Sequence, residues 1–133
     1  MAGEGPLRIG DSFLEVLPDR PHLWFVCTQP DEAGDVVILN VTSLKLWTRD
    51  RTCELQPGDH PFIRHASVVS YGRGRLARLL SLETSLASGV FRPQPAASPE
   101  VLVRIRDGAL VSPYIPGDVR RAIINCSWGP PPR

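Results

Sequence analysis

Prolines and glycines interrupt this chain too often for long helices to form. The 133 residues include 14 Pro and 11 Gly, and several occur close together, as in Pro18 and Pro21, Pro30 and Gly34, and Pro57-Gly58. Proline ends helices and central strands, and glycine permits tight turns. The segments between these breaks are short and rich in Val, Ile and aromatic residues, which favour strands. The sequence therefore predicts short strands joined by turns and disfavours an all-helical fold.

Length and composition indicate one globular domain. A chain of 133 residues can bury its own core but is too short for a second domain. The net charge of +1 gives no overall attraction to nucleic acid or to a membrane. The three cysteines are widely spaced, which predicts neither a disulfide framework nor a zinc site. No apolar run approaches about 18 residues and no signal peptide is evident, so we expect a cytoplasmic protein without membrane contact.

The strongest strand signal is the Val- and Ile-rich run Asp35–Ser43, whose end presents Asn40, Thr42 and Ser43. Alternation or apolar composition predicts further strands on either side of it. A Pro-Gly turn is expected at residues 56–59, and Gly72 and Gly74 predict a loop that carries Arg73 and Arg75. The predicted strands are residues 10–17, 22–28, 35–43, 51–55, 62–71 and a closing segment at 76–80.

Helical signals are concentrated after residue 80. Ser98, Pro99 and Glu100 are typical of a helix start, and Gly108 is expected to end that helix. Short helices are also predicted at 81–88 and 118–126, with a connector at 92–98. We therefore predict an α+β domain, a small antiparallel sheet or barrel of about five strands with two or three short helices. Its expected parts are a lead-in (1–9), a barrel (10–80), a helical appendage (81–127) and an extended tail (128–133).

Positive charge is concentrated in one part of the sequence. From His60 to Leu82 there is no Asp or Glu, although the segment contains two His and four Arg. Arg, His, Ser and Tyr beside Gly-containing turns are suited to binding phosphate. This segment is thus a candidate wall of a phosphate site.

The order of several motifs resembles the PemK/MazF-like toxin family. These motifs are Gly10-Asp11 at the start of a strand, Arg20-Pro21 before the next strand, and Val41-Thr42-Ser43 at the end of the Val/Ile-rich strand. The segment 68–76 is similar to a later strand of that family. The resemblance covers roughly residues 10–80. It implies an SH3-like barrel and a sequence-selective, metal-independent endoribonuclease without cofactors. It also implies a homodimer that acts on single-stranded RNA and is inhibited by a cognate antitoxin protein.

The resemblance assigns the catalytic positions to Arg20 and Thr42. A guanidinium group can hold two phosphate oxygens and remains charged, so Arg20 suits stabilisation of the transition state. Thr42 can hydrogen-bond the phosphate and fix its position. Proton transfer requires a further group, and histidine titrates nearest neutral pH, so the candidates are His22, His60 and His65. The role is assigned to His60 and His22, since His65 could equally be a hydrogen-bonded core residue. His60 lies at the predicted turn, where we expect it to be accessible.

A second set of residues is expected to bind the RNA backbone. Arg side chains contact phosphates, while Ser and His side chains can hydrogen-bond them. Trp47 could stack on an unpaired base or pack on a neighbouring subunit. A metal site built from Cys53, His60 and His65 has no supporting ligand spacing, so no metal is predicted. The predicted RNA-binding residues are Ser43, Arg64, His65, Ser67, Arg73 and Arg75.

Two other classes of function remain open from the sequence. The same barrel, without catalysis, would be a binding module for a protein or peptide partner. A small-ligand or metal-binding regulatory domain is the third class. Structural roles compete as well, since Thr42 at a strand end and His60 in a turn can each satisfy backbone groups.

Overall fold

The computed structural model describes residues 7–16 and 21–126 of the chain. Arg20, one of the two catalytic positions implied by the resemblance, lies outside the described residues. So does the predicted extended tail at 128–133. The predicted lead-in is described only from residue 7 onwards.

The described strands form one curled antiparallel sheet in the order β4-β5-β3-β2-β1-β6. The predicted α+β class is confirmed, and the described sheet has six strands where about five were expected. Parts of the segments predicted at 62–71 and 76–80 belong to one strand, and the strand at 91–94 was not predicted. β3 has the predicted bounds, because its Val and Ile side chains are buried on both faces of a central strand. The strands are β1 (Ser12–Val16), β2 (Pro21–Val26), β3 (Asp35–Ser43), β4 (Glu54–Leu55), β5 (Ser67–Arg78) and β6 (Phe91–Gln94).

The helices are α1 (Leu79–Ala87), α2 (Pro99–Val111) and α3 (Gly117–Asn125). The predicted start of α2 is confirmed, since the Ser98 hydroxyl accepts a hydrogen bond from the Val101 N–H at 3.2 Å and Pro99 occupies the first turn. Such a cap satisfies one of the free amides at a helix start. α1 follows β5 directly, so one helix lies between strands rather than at the C-terminus.

The sheet has a hydrophobic core on each face. On one face, Leu39 and Tyr71 pack with α2 and α3, whose buried side chains include Ile105 and Val119. On the other face, Trp24 and its neighbours pack with Leu82 of α1. The apolar face of each helix is thereby removed from water, which is the main source of stability for short helices.

Gly108 does not end α2, as the sequence predicted, because the helix continues to Val111. A Cβ atom at residue 108 would lie 2.9 Å from Cζ of the buried Tyr71 ring and 3.2 Å from Cβ of Cys53. Glycine is therefore needed here for close packing of the helix on the sheet. Its usual role as a helix terminator does not apply at this position.

Two predicted loops are strands. The segment Gly72–Arg75 belongs to β5, and a Cβ on Gly74 would lie 2.6 Å from Cδ2 of Leu39, so this glycine also serves close packing. The predicted connector at 92–98 is wrong for its first part, because β6 pairs with β1 and Phe91 stacks on Phe13 at 4.7 Å. Pro93 is tolerated because β6 is an edge strand with only one partner. The strand predicted at 62–71 begins only at Ser67.

Candidate functional site

A surface cleft of about 500 Å³ lies where β3 ends. It is bounded by the start of β2, the end of β3, the middle of β5, the loop that follows β3 and the connection between α2 and α3. Clefts of this volume accommodate small ligands or a few groups of a larger one. The side chains that line it include His22, Thr42, Ser43, Lys45, Trp47, Arg49, Asp50, Arg73 and Tyr114.

The register of the sheet brings His22 and Thr42 together although they are 20 positions apart in the chain. Glu15 of β1 pairs with His22 of β2, and Leu23 of β2 pairs with Val41 of β3. Extending the second register by one residue places His22 opposite Thr42. Directly opposite residues of antiparallel strands point to the same face, with Cβ atoms about 5 Å apart. The imidazole and the hydroxyl therefore share the cleft.

Asn40 holds the His22 ring from beneath the cleft. It is 1% exposed, and its Nδ2 lies 3.4 Å from Nδ1 of His22. With the amide NH₂ toward the ring, Nδ1 accepts and the neutral ring carries its proton on Nε2; with the carbonyl toward the ring, Nδ1 donates. The Asn40 Oδ1 atom has no hydrogen-bond partner within the described residues. In either arrangement Asn40 holds Nδ1 and leaves Nε2 as the nitrogen for proton transfer.

The cleft is bordered by three exposed cationic side chains, Lys45, Arg49 and Arg73. Within the described part of the chain none of them forms an ion pair, whereas Arg51, Arg78 and Arg104 each contact a carboxylate. Unpaired guanidinium and ammonium groups around one cleft are suited to binding an anion.

Asp50 is the acidic side chain of this cleft, and its carboxylate supports the loop. Its Oδ1 accepts the Thr52 hydroxyl at 2.6 Å and its Oδ2 accepts the Ser112 hydroxyl at 2.7 Å. The Ser112 oxygen in turn accepts the backbone N–H of Tyr114 at 3.1 Å. This chain of hydrogen bonds ties the loop after β3 to the connection between α2 and α3, which are the two sides of the cleft that carry Trp47 and Tyr114.

Some of the predicted site residues lie at the cleft. His22, Thr42, Ser43 and Arg73 line it, and Pro21, which follows Arg20 in the sequence, lines it too. Sequence reasoning placed these residues on three separate segments. The strand pairing brings them into one surface.

The other predicted RNA-binding residues do not line the cleft. The His65 Nε2 atom lies 2.7 Å from the Ser43 hydroxyl, and the buried Ser67 hydroxyl donates to the His65 carbonyl at 2.9 Å. Arg75 lies over the Trp24 ring at 5.3 Å, and Arg64 is exposed away from the cleft lining. The prediction that Arg73 and Arg75 form one loop pair fails, because both lie in β5 and Arg75 covers the aromatic side chain of β2.

His60 is buried, contrary to the expectation that it lies free at the turn, and is 2% exposed. Its Nδ1 accepts the Phe62 N–H at 3.0 Å, and its Nε2 donates to the Pro95 carbonyl at 2.8 Å, close to the Ser12 hydroxyl at 3.1 Å. Burial lowers the pKa of this imidazole, and the hydrogen bond to Pro95 opposes that shift. Both nitrogens are occupied and the residue does not line the cleft, so its place in the fold is structural.

Sequence reasoning missed Lys45, Arg49 and Tyr114. The first two flank Trp47 in a segment whose secondary structure was ambiguous, and that alternation of cations with an aromatic residue was the available signal. Tyr114 had no local signal, because only the packing of α2 and α3 on the sheet brings it to the cleft.

Across residues 7–16 and 21–126, no group of three or more His, Cys, Asp or Glu side chains is arranged to hold a metal ion. None of the described helices has the length and apolar character needed to cross a membrane.

Comparison of the chain with models of known protein families gives no match. Comparison with curated proteins gives none either. The similarity to PemK/MazF-like toxins therefore rests on the sequence motifs quoted above.

Proposed function

We propose that the cleft binds single-stranded RNA and that the protein is a metal-independent, sequence-selective endoribonuclease of a toxin–antitoxin pair. The observation that carries this proposal is the convergence of unpaired cations with Thr42 and His22 at one cleft. Cations would hold the phosphates, and the hydroxyl and imidazole groups would act on the phosphate between them.

Each residue has a chemical role in this proposal. The 2′-hydroxyl of a ribose gives its proton to solvent water and attacks the adjacent phosphorus. The bond between phosphorus and the 5′-oxygen breaks, the 5′-oxygen takes up a proton, and a 2′,3′-cyclic phosphate and a free 5′-hydroxyl are formed. Arg20, assigned by the family resemblance, would stabilise the added negative charge on the phosphoryl oxygens. Thr42 would position the phosphate. His22, whose Nδ1 lies against the Asn40 side chain, would act as the imidazolium: it would donate its Nε2 proton to the departing 5′-oxygen, become neutral, and regain a proton from solvent water.

A single strand is the form of RNA that fits this arrangement best. Side chains cannot read the narrow major groove of duplex RNA, and sequence-selective proteins therefore bind unpaired bases. The cleft supplies cations for the backbone and exposed aromatic rings, Trp47 and Tyr114, for bases. The proposal extends to an SH3-like barrel, a homodimer, a cytoplasmic location and a cognate antitoxin that occupies the same surface.

The direct test is incubation of the purified protein with a mixed-sequence RNA in the presence of a chelator, followed by mapping of the fragment ends. We expect fragments with 2′,3′-cyclic phosphate ends. His22→Ala should slow cleavage by about 10²–10⁴-fold, the usual contribution of a positioned acid or base. Arg20→Ala and Thr42→Ala should also slow it. Arg64→Ala, a change to an exposed arginine outside the cleft, is the matched control and should cleave at the wild-type rate.

Two results would contradict the proposal. Cleavage that disappears with chelator would remove the metal-independent mechanism. RNA that is bound but never cleaved would remove the catalytic part of the proposal and leave the barrel as a binding module. The alternative function is such an SH3-like module, with a protein or peptide as its partner. The specific observation that favours this alternative is the apolar residue Leu46, which is fully exposed and precedes Trp47, a residue of the cleft lining. Induced expression in bacteria, with and without the neighbouring gene, would test toxicity and its neutralisation.

A further inference from the structure

We propose that Trp47 is a stacking platform for one unpaired nucleobase of the strand bound in the cleft. This inference rests on the proposed RNA-binding function and adds a specific base-binding position to it. It concerns recognition rather than cleavage, so the two can be tested separately.

The Trp47 side chain is unusually exposed. Its indole is 77% exposed, whereas Trp24 is 8% exposed and packed in a core. A large aromatic ring left in water at the edge of a cleft gains free energy when a ligand covers it. Trp47 also lines the cleft, so a ligand held there can reach the ring.

Hydrogen bonds close the turn that presents the Trp47 ring. The backbone N–H of Lys45 donates to the Thr48 hydroxyl at 2.8 Å, and the Thr48 N–H donates to the Lys45 carbonyl at 3.1 Å. These two hydrogen bonds close the turn around Leu46 and Trp47. A ring presented on a closed turn loses little conformational entropy when a base stacks on it.

Positively charged residues stand on both sides of Trp47 in the chain. Lys45 and Arg49 flank Trp47 in the sequence, both line the cleft, and both are without ion-pair partners among the described residues. A purely apolar partner would have to bury these charges or leave them uncompensated at its border. A nucleotide supplies a planar base for the indole and a phosphate for the cations, so it matches both features at once.

Tyr114 is a second exposed aromatic residue at the cleft. This residue is 48% exposed and lines the same cleft from the connection between α2 and α3. The hydrogen bonds from Asp50 through Ser112 to the Tyr114 N–H fix that connection relative to the loop of Trp47. Two exposed rings on connected segments thus border a cleft in which successive bases can be held.

The test uses a fluorescent single-stranded oligonucleotide with 2′-fluoro riboses, which binds but cannot be cleaved through the 2′-oxygen. A matched series carries one abasic site at each position in turn. Binding is measured by fluorescence anisotropy for the wild type, Trp47→Ala, Trp47→Phe and Leu46→Ser. Leu46→Ser is the control, because it removes apolar surface from the same turn without removing the ring.

We expect Trp47→Ala to weaken binding by about 5- to 150-fold, the usual range for one stacked base, and Trp47→Phe to restore most of the loss. One abasic position should weaken wild-type binding by a similar factor, and Trp47→Ala should have no further effect on that oligonucleotide. Leu46→Ser should bind as the wild type does.

Two kinds of failure are distinguishable. If the wild type binds the oligonucleotide and Trp47→Ala binds equally well, the stacking inference is overturned while the proposed function stands. It is also overturned if Leu46→Ser weakens binding as much as Trp47→Ala, because the contact would then be a general apolar one. If the wild type does not bind any single-stranded oligonucleotide, the proposed function itself fails, and the stacking inference fails with it.

Discussion

Replacing His60 with leucine tests whether this histidine has the structural role that its contacts indicate. Leucine has a similar volume but cannot accept from the Phe62 N–H or donate to the Pro95 carbonyl. Each lost hydrogen bond is worth about 1 kcal/mol, and a polar group left buried without a partner costs about 1–3 kcal/mol. We therefore expect His60→Leu to lower the free energy of unfolding by about 2–4 kcal/mol at neutral pH.

The same substitution should change how stability depends on pH. Burial lowers the pKa of His60 below its ordinary value of 6.5. Above pH 6.5 the ring is neutral in both the folded and the unfolded chain, and the hydrogen bonds of His60 make their full contribution to the free energy of unfolding. As pH falls through 6.5, the unfolded chain takes up a proton that the folded protein does not, so the wild type loses stability until the folded pKa is reached. Between about pH 7.5 and pH 5.5 this loss is at most about 1.4 kcal/mol.

Urea denaturation at both pH values, followed by tryptophan fluorescence, measures the effect. The difference in stability between the wild type and His60→Leu should shrink at the lower pH, because only the wild type carries the penalty. His65→Leu is the matched control, since that imidazole is exposed and contacts Ser43. A difference that is constant across the two pH values, or a His60→Leu protein as stable as the wild type, would refute the reasoning.

Three further predictions follow from the fold and the cleft. Gly108→Ala should lower the free energy of unfolding by about 1–3 kcal/mol in denaturant titrations, because the new Cβ overlaps the Tyr71 ring, although alanine favours helices elsewhere. In the control Gly117→Ala the new Cβ meets only the flexible Arg121 side chain, so the free energy of unfolding should change by less than about 0.5 kcal/mol. Arg73→Ala should reduce the slope of log affinity for RNA against log salt by about 0.7, because one phosphate contact on a single strand contributes that amount. Arg64→Ala should leave the slope unchanged. Equal slopes for the two variants would contradict the assignment of Arg73 to the cleft. Asn40→Asp should place the proton of neutral His22 on Nδ1, because a carboxylate only accepts. Imidazole ¹⁵N chemical shifts that show an unprotonated Nδ1 in this variant would exclude residue 40 as the group that sets the tautomer.

The parts of the fold that depend on local chemistry could be predicted from the sequence. β3 has the expected bounds because a Val/Ile-rich run suits a central strand, and α2 starts at the expected cap because the Ser98 side chain satisfies a local amide. The Pro-Gly turn is also present, with Gly58 at φ +99° and the Asp59 N–H donating to the Gln56 carbonyl at 3.0 Å. In each case the interaction that decides the structure lies within a few residues.

The errors arose where a distant segment decides the structure. From local sequence alone, Gly108 suggests a helix end and Gly74 suggests a loop. In the structure each is a glycine because a buried side chain from another element occupies the space of its Cβ atom, Tyr71 at Gly108 and Leu39 at Gly74. The candidate site divides in the same way. His22 and Thr42 could be named from the sequence, whereas their proximity to Lys45 and Tyr114 depends on strand register and helix packing.

The contacts of His60 also have a consequence for how the protein folds. This ring and Ser12 meet at the Pro95 carbonyl, across sequence separations of 48 residues between Ser12 and His60 and 83 between Ser12 and Pro95. Contacts between such distant segments require closure of long loops and tend to form late. We therefore expect β2, β3 and β5 to associate before β6 closes on β1. Loss of the His60 contacts should then accelerate unfolding while leaving the folding rate nearly unchanged.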